Sequence, residues 1–268
     1  MIDYAGFSAY MLENDLSANT RRMYLRFLRD YGVYNGDIEP DKTALMRWRD
    51  FLCGRNSPQT VNLKLTAMAK YCDFAGLDIR LHRVKVQRRT SIDRILTPED
   101  VGRLIDGLDE DGFDRMAAIV RLLAKTGGRV SEVRRYRKAD LLRGFVDMAT
   151  KGKTRRIYIP EALQAELRTF AAPLGDLDFL CRNRFGGQIT ARGIAKGLKA
   201  AAARYGLPPE SVHPHAFRHY YAVEFLRRNP DIALLADVLG HSSIETTRIY
   251  LRLTESQQKK EIDKTVNW

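Results

Sequence analysis

The sequence of 268 residues predicts a mainly α protein of two domains, with one small antiparallel sheet in the second. Apolar residues recur at helical spacing up to about residue 80, and no strand-like alternation interrupts them. A charged stretch without an apolar face follows, Arg83 to Arg94 (RVKVQRRTSIDR), which suits an extended linker on an anionic partner. Helical patterns then resume, broken once by two short strand-like runs around a polar turn. The boundaries read as a helical domain over 1–83, a basic linker over 84–95 and a second domain over 96–268, for a chain longer than the usual single domain.

The spacing predicts a first helix over Tyr4 to Leu12, stopped at Asn14-Asp15-Leu16-Ser17. Ser17 or Asn19 caps a second over Thr20 to Tyr31, with Met23, Phe27 and Tyr31 on one face, ended by Gly32 and Gly36. Thr43 to Cys53 and Ser57 to Phe74 complete a four-helix unit, the last opened by Ser57-Pro58. In the second domain Thr97 is a helix cap, with Pro98 at the first helical position and acids in the first turn. Met116 to Lys125 reads as a buried helix ending at Gly127-Gly128, and Val130 to Tyr136 opens another. Phe145 to Ala149 and Arg156 to Ile159 read as strands of a hairpin around Thr150-Lys151-Gly152-Lys153-Thr154. Glu161 to Ala171, Ala191 to Tyr205 and Phe217 to Arg227 return to helical periodicity.

The 45 Lys and Arg against 33 Asp and Glu leave a net charge of +12, which favours a polyanion such as nucleic acid. Both halves are basic, 15 against 10 up to residue 90 and 30 against 23 beyond, so no detachable tail carries the excess. A basic enzyme with a solvated surface would show the same balance. Cys53, Cys72 and Cys181 are odd in number and widely spaced, which argues against a disulfide framework or zinc ribbon and fits a reducing cytoplasm. The first residues lack the pattern of a signal peptide, and no apolar run approaches ~18 residues, so the expectation is a cytoplasmic protein outside the membrane.

Four of the five histidines fall between His213 and His241, in a segment that also holds Arg218, Arg248 and Tyr250. A metal site is one reading, since His215 and His219 are four apart, but their spacing lacks the Glu of a zinc protease motif. A helix-turn-helix over Asp231 to Leu251 is a second, with a polar helix capped by Ser242 or Ser243. It leaves Arg218 and the remote TGGR and KGK segments unused. The third joins all of these pieces. Breaking a phosphodiester without a metal requires cations around the phosphorane, a nucleophile, an acid for the leaving oxygen and a base. Arginine forks, imidazoles and a lysine are groups of that kind.

Thr126-Gly127-Gly128-Arg129-Val130-Ser131-Glu132 resembles the first arginine box of the tyrosine recombinases, also called the phage integrase family. His215-Ala216-Phe217-Arg218-His219 resembles its H-x-x-R box, and Leu239 to Thr247 followed by Tyr250 resembles the segment bearing its third basic residue and nucleophile. The resemblance implies the DNA breaking-rejoining enzyme fold. It implies that Arg129 and Arg218 clamp the non-bridging oxygens while Tyr250 attacks phosphorus to leave a 3′-phosphotyrosyl bond. His215 matches the general base, His241 the residue that hydrogen-bonds the scissile phosphate, and Lys151 the general acid, with Lys153 as the alternative. No cofactor is implied, because the bond energy is retained for rejoining. Tyr220 and Tyr221 read as packing residues.

LSANTRRMYLRFL (Leu16 to Leu28) is similar to the opening of the family's core-binding domain, which with the catalytic domain makes a C-shaped clamp around double-stranded DNA. Arg21, Arg22, Arg88 and Arg89 are the phosphate-contact candidates, solvated surface charge being the alternative for each. Gly128 stands where the family has a larger apolar residue, which suggests looser packing behind Arg129, and Thr150 where Gly often precedes the lysine. The chain is similar to compact Xer-like or transposon-type members. The tail after Tyr250 has apolar positions at Leu253, Ile262, Val266 and Trp268. In the family this segment docks on a neighbouring subunit, which implies a homotetramer on two duplexes working through a Holliday junction, with accessory factors deciding the outcome. Intramolecular packing of the tail is the alternative. A type IB topoisomerase shares the phosphotyrosyl chemistry and would relax supercoils without sequence preference.

Overall fold

The structure, a computed structural model, describes residues 1–86, 95–150, 153–240, 243–251 and 262–266, with the side chains of Thr150 and Lys153 left out. The chain divides into two compact units, Met1–Arg88 and Arg89–Trp268.

The first unit holds α1 (Tyr4–Glu13), α2 (Ala18–Asn35), α3 (Lys42–Cys53) and α4 (Pro58–Ala75). Side chains of Asp3, Ser17, Asp41 and Ser57 each accept from an amide of the first turn they open, supplying partners that the helix itself cannot. Ser17, of the two residues able to cap α2, is the cap. α2 runs through Gly32, which is buried beneath the Tyr4 hydroxyl and Asp37, and stops at the left-handed Gly36. Phe7, Met11, Leu28, Tyr31, Leu45, Trp48, Met68 and Tyr71 form the core, and the rings of Tyr31 and Trp48 meet edge to face at 5.2 Å. Asn62 on α4 donates to the Val84 carbonyl (2.9 Å) and accepts from its amide (2.8 Å), tying the chain to the bundle as far as residue 84.

The second unit is arranged around α6 (Asp114–Thr126), whose Ile119, Val120, Leu122 and Leu123 are fully buried. It packs on α5 (Pro98–Glu110), which opens with the expected Thr97 cap, here a reciprocal capping box with Asp100. α7 is a single turn, Val130–Val133, because the chain then leaves the helix to bury Tyr136, whose carbonyl accepts from Leu180 (2.9 Å). A short α8 (Lys138–Arg143), absent from the sequence reading, follows. β1 (Phe145–Thr150) and β2 (Lys153–Tyr158) pair antiparallel with Met148 opposite Arg155. β2 starts three residues earlier than its periodicity suggests. α9 (Glu161–Ala171), α10 (Ala191–Arg204) and α11 (Pro214–Arg228) complete the shell around α6. The chain continues as α12 (Ile232–Leu239), a one-turn α13 (Glu245–Arg248) and a 3-10 turn, Ile249–Leu251. Among the described residues no helix is long and apolar enough to cross a membrane.

Candidate active site

Arg129 caps α7, and Glu132 reaches back three residues to hold it. The Glu132 carboxylate accepts from the Arg129 amide at 2.7 Å through Oε2 and from its guanidinium at 3.1 Å through Oε1. The Glu132 side chain keeps 6% of its surface in solvent, the Arg129 side chain 42%. Arg155, on β2, donates to the same Oε2 at 2.5 Å. Burial works to raise the Glu132 carboxyl, but the Arg155 hydrogen bond, the Arg129 amide and both arginine charges outweigh it and hold it below the ordinary carboxylate range.

The end of α12 gathers the cations. An α-helix leaves its last carbonyls without internal partners, with negative potential at that end. Three successive carbonyls there each accept from a different arginine: Val238 from Arg155 (2.6 Å), Leu239 from Arg218 (2.7 Å) and Gly240 from Arg129 (3.3 Å). Arg218 also donates to the Gly127 carbonyl at 2.8 Å, two residues before Arg129. Three guanidinium groups and one carboxylate thus meet at one turn, an excess of positive charge that favours an anion. Burial, with the Arg129 and Arg155 charges added, lowers Arg218 to about 10, so it stays protonated at neutral pH.

α11 supplies the imidazoles. His213 caps it by accepting from the Ala216 amide (3.1 Å), and Pro214 takes the first helical position. His215 and His219, one turn apart, meet edge to face with ring centres 4.3 Å apart, and the His219 ring lies 5.3 Å from that of Tyr250. Partial burial, then the charges of Arg218, His213 and Arg129, lower His215 below 6.5. Burial and the neighbouring histidines push His219 down to about 4, and its buried Nδ1 has no hydrogen-bond partner among the described residues. Both rings are therefore neutral near pH 7. Tyr250 is 7% exposed, packed with Ala222, Leu235 and Leu239. Burial raises its phenol and the Arg218 charge draws it back part of the way.

The structure thus brings Arg129, His215, Arg218 and Tyr250 together. Lys151 and His241 lie outside the described residues, as do Arg88 and Arg89. Arg22 is exposed on α2, whereas Arg21 is partly covered, its Nε buried without a hydrogen-bond partner among the described residues. Three residues of the cluster were given no role by the sequence. Glu132 sits inside the first arginine box. Arg155 shares the buried strand face of Ile157, and a cation on such a face is a signal in itself. His219 follows Arg218 directly. Gly128 does not loosen the packing behind Arg129: a Cβ there would lie 2.6 Å from the Tyr136 hydroxyl and 2.8 Å from Val133 Cγ2, so the space is already filled. Tyr221 packs against Gly127 and Tyr220 against the main core. Among the described residues a helix-turn-helix over Asp231 to Leu251 is not formed, since its second helix is the single turn α13, whose Glu245 amide donates to the Ser243 hydroxyl (3.3 Å); Ser242 lies outside the described residues.

Comparison with known proteins places the chain in context. The model of the phage integrase family matches residues 94–257. The chain is 30% identical to the tyrosine recombinase XerA of Pyrococcus furiosus, over 96% of this chain and 92% of that protein. Its fold is similar to a crystal structure of XerA recombinase (24% identity, TM-score 0.56, 97% and 96% of the two chains). It is also similar to a Tn1549 transposon integrase solved with transposon right end DNA (18% identity, TM-score 0.75, 99% and 100%).

Proposed function

The chain belongs to the phage integrase family of tyrosine-type site-specific recombinases, and from that premise we propose that it cuts and rejoins double-stranded DNA with Tyr250 as nucleophile. The observation that carries this reading is the meeting of Arg129 and Arg218 at the end of α12, with Tyr250 close enough to feel the Arg218 charge. The Tyr250 oxygen bonds to phosphorus as the bond from phosphorus to the 5′-oxygen breaks. The phenolic proton passes to His215, and Lys151 or Lys153 supplies a proton to the departing oxygen. Arg129 and Arg218 take up the charge that grows on the non-bridging oxygens, and His241 hydrogen-bonds the same phosphate. The 3′-phosphotyrosyl bond keeps the energy of the broken one, so a 5′-hydroxyl from another duplex reverses the step without a cofactor.

Exchange of one pair of strands in this way gives a Holliday junction. Exchange of the second pair resolves it, so all four strands of two duplexes are cut by four active sites, and the tail offers a means of assembly. Ile262 and Val266 are 59% and 52% exposed, and a neighbouring subunit would cover them. The helical domain, the linker and their Arg21, Arg22, Arg88 and Arg89 serve on this reading as backbone contacts.

A nicked suicide duplex carrying the protein's own site, selected from a randomised pool, should trap a denaturation-resistant protein–DNA adduct, and Tyr250→Phe should abolish it. An undiminished adduct in that variant removes Tyr250 from the role.

A further inference from the structure

Arg155 lies outside the boxes that identify the family, yet it is built into the same turn as Arg129 and Arg218. Its side chain is 15% exposed, and its two terminal nitrogens serve different elements: Nη2 the Glu132 carboxylate of α7 at 2.5 Å, Nη1 the Val238 carbonyl of α12 at 2.6 Å. The neighbouring backbone leaves room for it. A Cβ on Gly240 would stand 2.3 Å from Arg155 Cδ, so the residue after α12 lets the arginine stem pass.

Glu132 has two positively charged neighbours, and they do not share it equally. Its Oε2 is occupied by Arg155 and the Arg129 amide, and its Oε1 alone reaches the Arg129 guanidinium, at 3.1 Å. Without Arg155, a buried carboxylate would turn to the remaining cation and close a two-pronged pair with it. Arg129 would then be neutralised and drawn off any phosphate.

We propose that Arg155 is a positioning residue for strand cleavage: by balancing Glu132 and bracing the end of α12, it leaves the charge of Arg129 free for the scissile phosphate. The inference rests on the reading of Arg129 as a phosphate clamp given above. Lysine cannot replace it fully, because one ammonium lacks the fork that spans both partners.

The test is single-turnover cleavage by the full chain on the selected suicide duplex and on the same duplex with a methylphosphonate at the scissile position. The methyl group removes the negative charge that Arg129 would meet. Arg155→Met should cleave the natural phosphate about 100-fold more slowly, as expected for loss of one electrostatic contact, with duplex Kd unchanged. On the methylphosphonate the deficit should shrink below about tenfold, since no charge is left to clamp. Adding Glu132→Gln should restore part of the rate on the natural phosphate by removing the competing carboxylate. Arg155→Lys should fall between wild type and Arg155→Met, and it carries the same comparison if Arg155→Met does not fold. Wild-type rates in these variants, or a deficit of equal size on both substrates, would overturn the inference. Absence of any adduct from the wild-type chain would instead sink the phosphotyrosyl reading itself.

Discussion

A tyrosine that attacks phosphorus gains from a low phenol pKa, and the surroundings of Tyr250 do the opposite. Burial raises it, and the Arg218 charge only partly offsets that. The phenol therefore stays protonated at neutral pH and needs a base. His215 is suited to this role because burial, with the charges of Arg218, His213 and Arg129, lowers it from the ordinary imidazole value, which favours the proton-accepting form. Adduct formation should be flat above neutrality and fall on acidification through a midpoint below 6.5 as the imidazole takes up a proton. His215→Asn should be slower and lack that limb; a limb that persists in the variant assigns the base elsewhere. His219, neutral down to about pH 4, contributes no charge in this range, and its ring lies against both His215 and Tyr250.

At the scale of elements, the end of α12 is where Arg129, Arg155 and Arg218 meet. Gly240 takes a left-handed φ of +63°, and its lack of a side chain leaves space for Arg155. Gly240→Ala should cost about 1–2 kcal/mol from backbone strain alone and displace Arg155 as well. Urea denaturation measures the first effect and single-turnover cleavage the second. An unchanged denaturation midpoint would show that the turn tolerates a side chain. Elements with their own start and stop signals, such as α5 with Thr97-Pro98 and α9 after Pro160, were legible in the sequence. Short ones were not. α8 spans six residues, and its support comes from the Asp140 carboxylate returning to the Arg137 amide and from burial of Leu141, which no periodicity of that length reveals. α7 stops early because burial of Tyr136 outweighs continuation of the helix.

For the molecule as a whole, the net charge of +12 sets how it meets a polyanion. Each phosphate contact releases counterions, so affinity for duplex DNA should fall linearly with salt on a double-logarithmic plot. Arg22 is exposed on α2, and Arg22→Gln should weaken binding to all sequences alike and reduce the slope by about 0.9. An unaltered slope would return Arg22 to the solvated surface.

The linear sequence by itself determined which groups could react and the periodic helices that carry them. Those features depend on neighbours three or four residues apart, as when Glu132 holds Arg129 or His219 meets His215. Only the tertiary structure decided where the cations converge. Arg155 bonds to Val238 across 83 residues, Arg218 to Gly127 across 91 and Arg129 to Gly240 across 111. Contacts of that separation arise from the packing of α6, α11, α12 and the hairpin, which side-chain volume and burial dictate and no local spacing encodes.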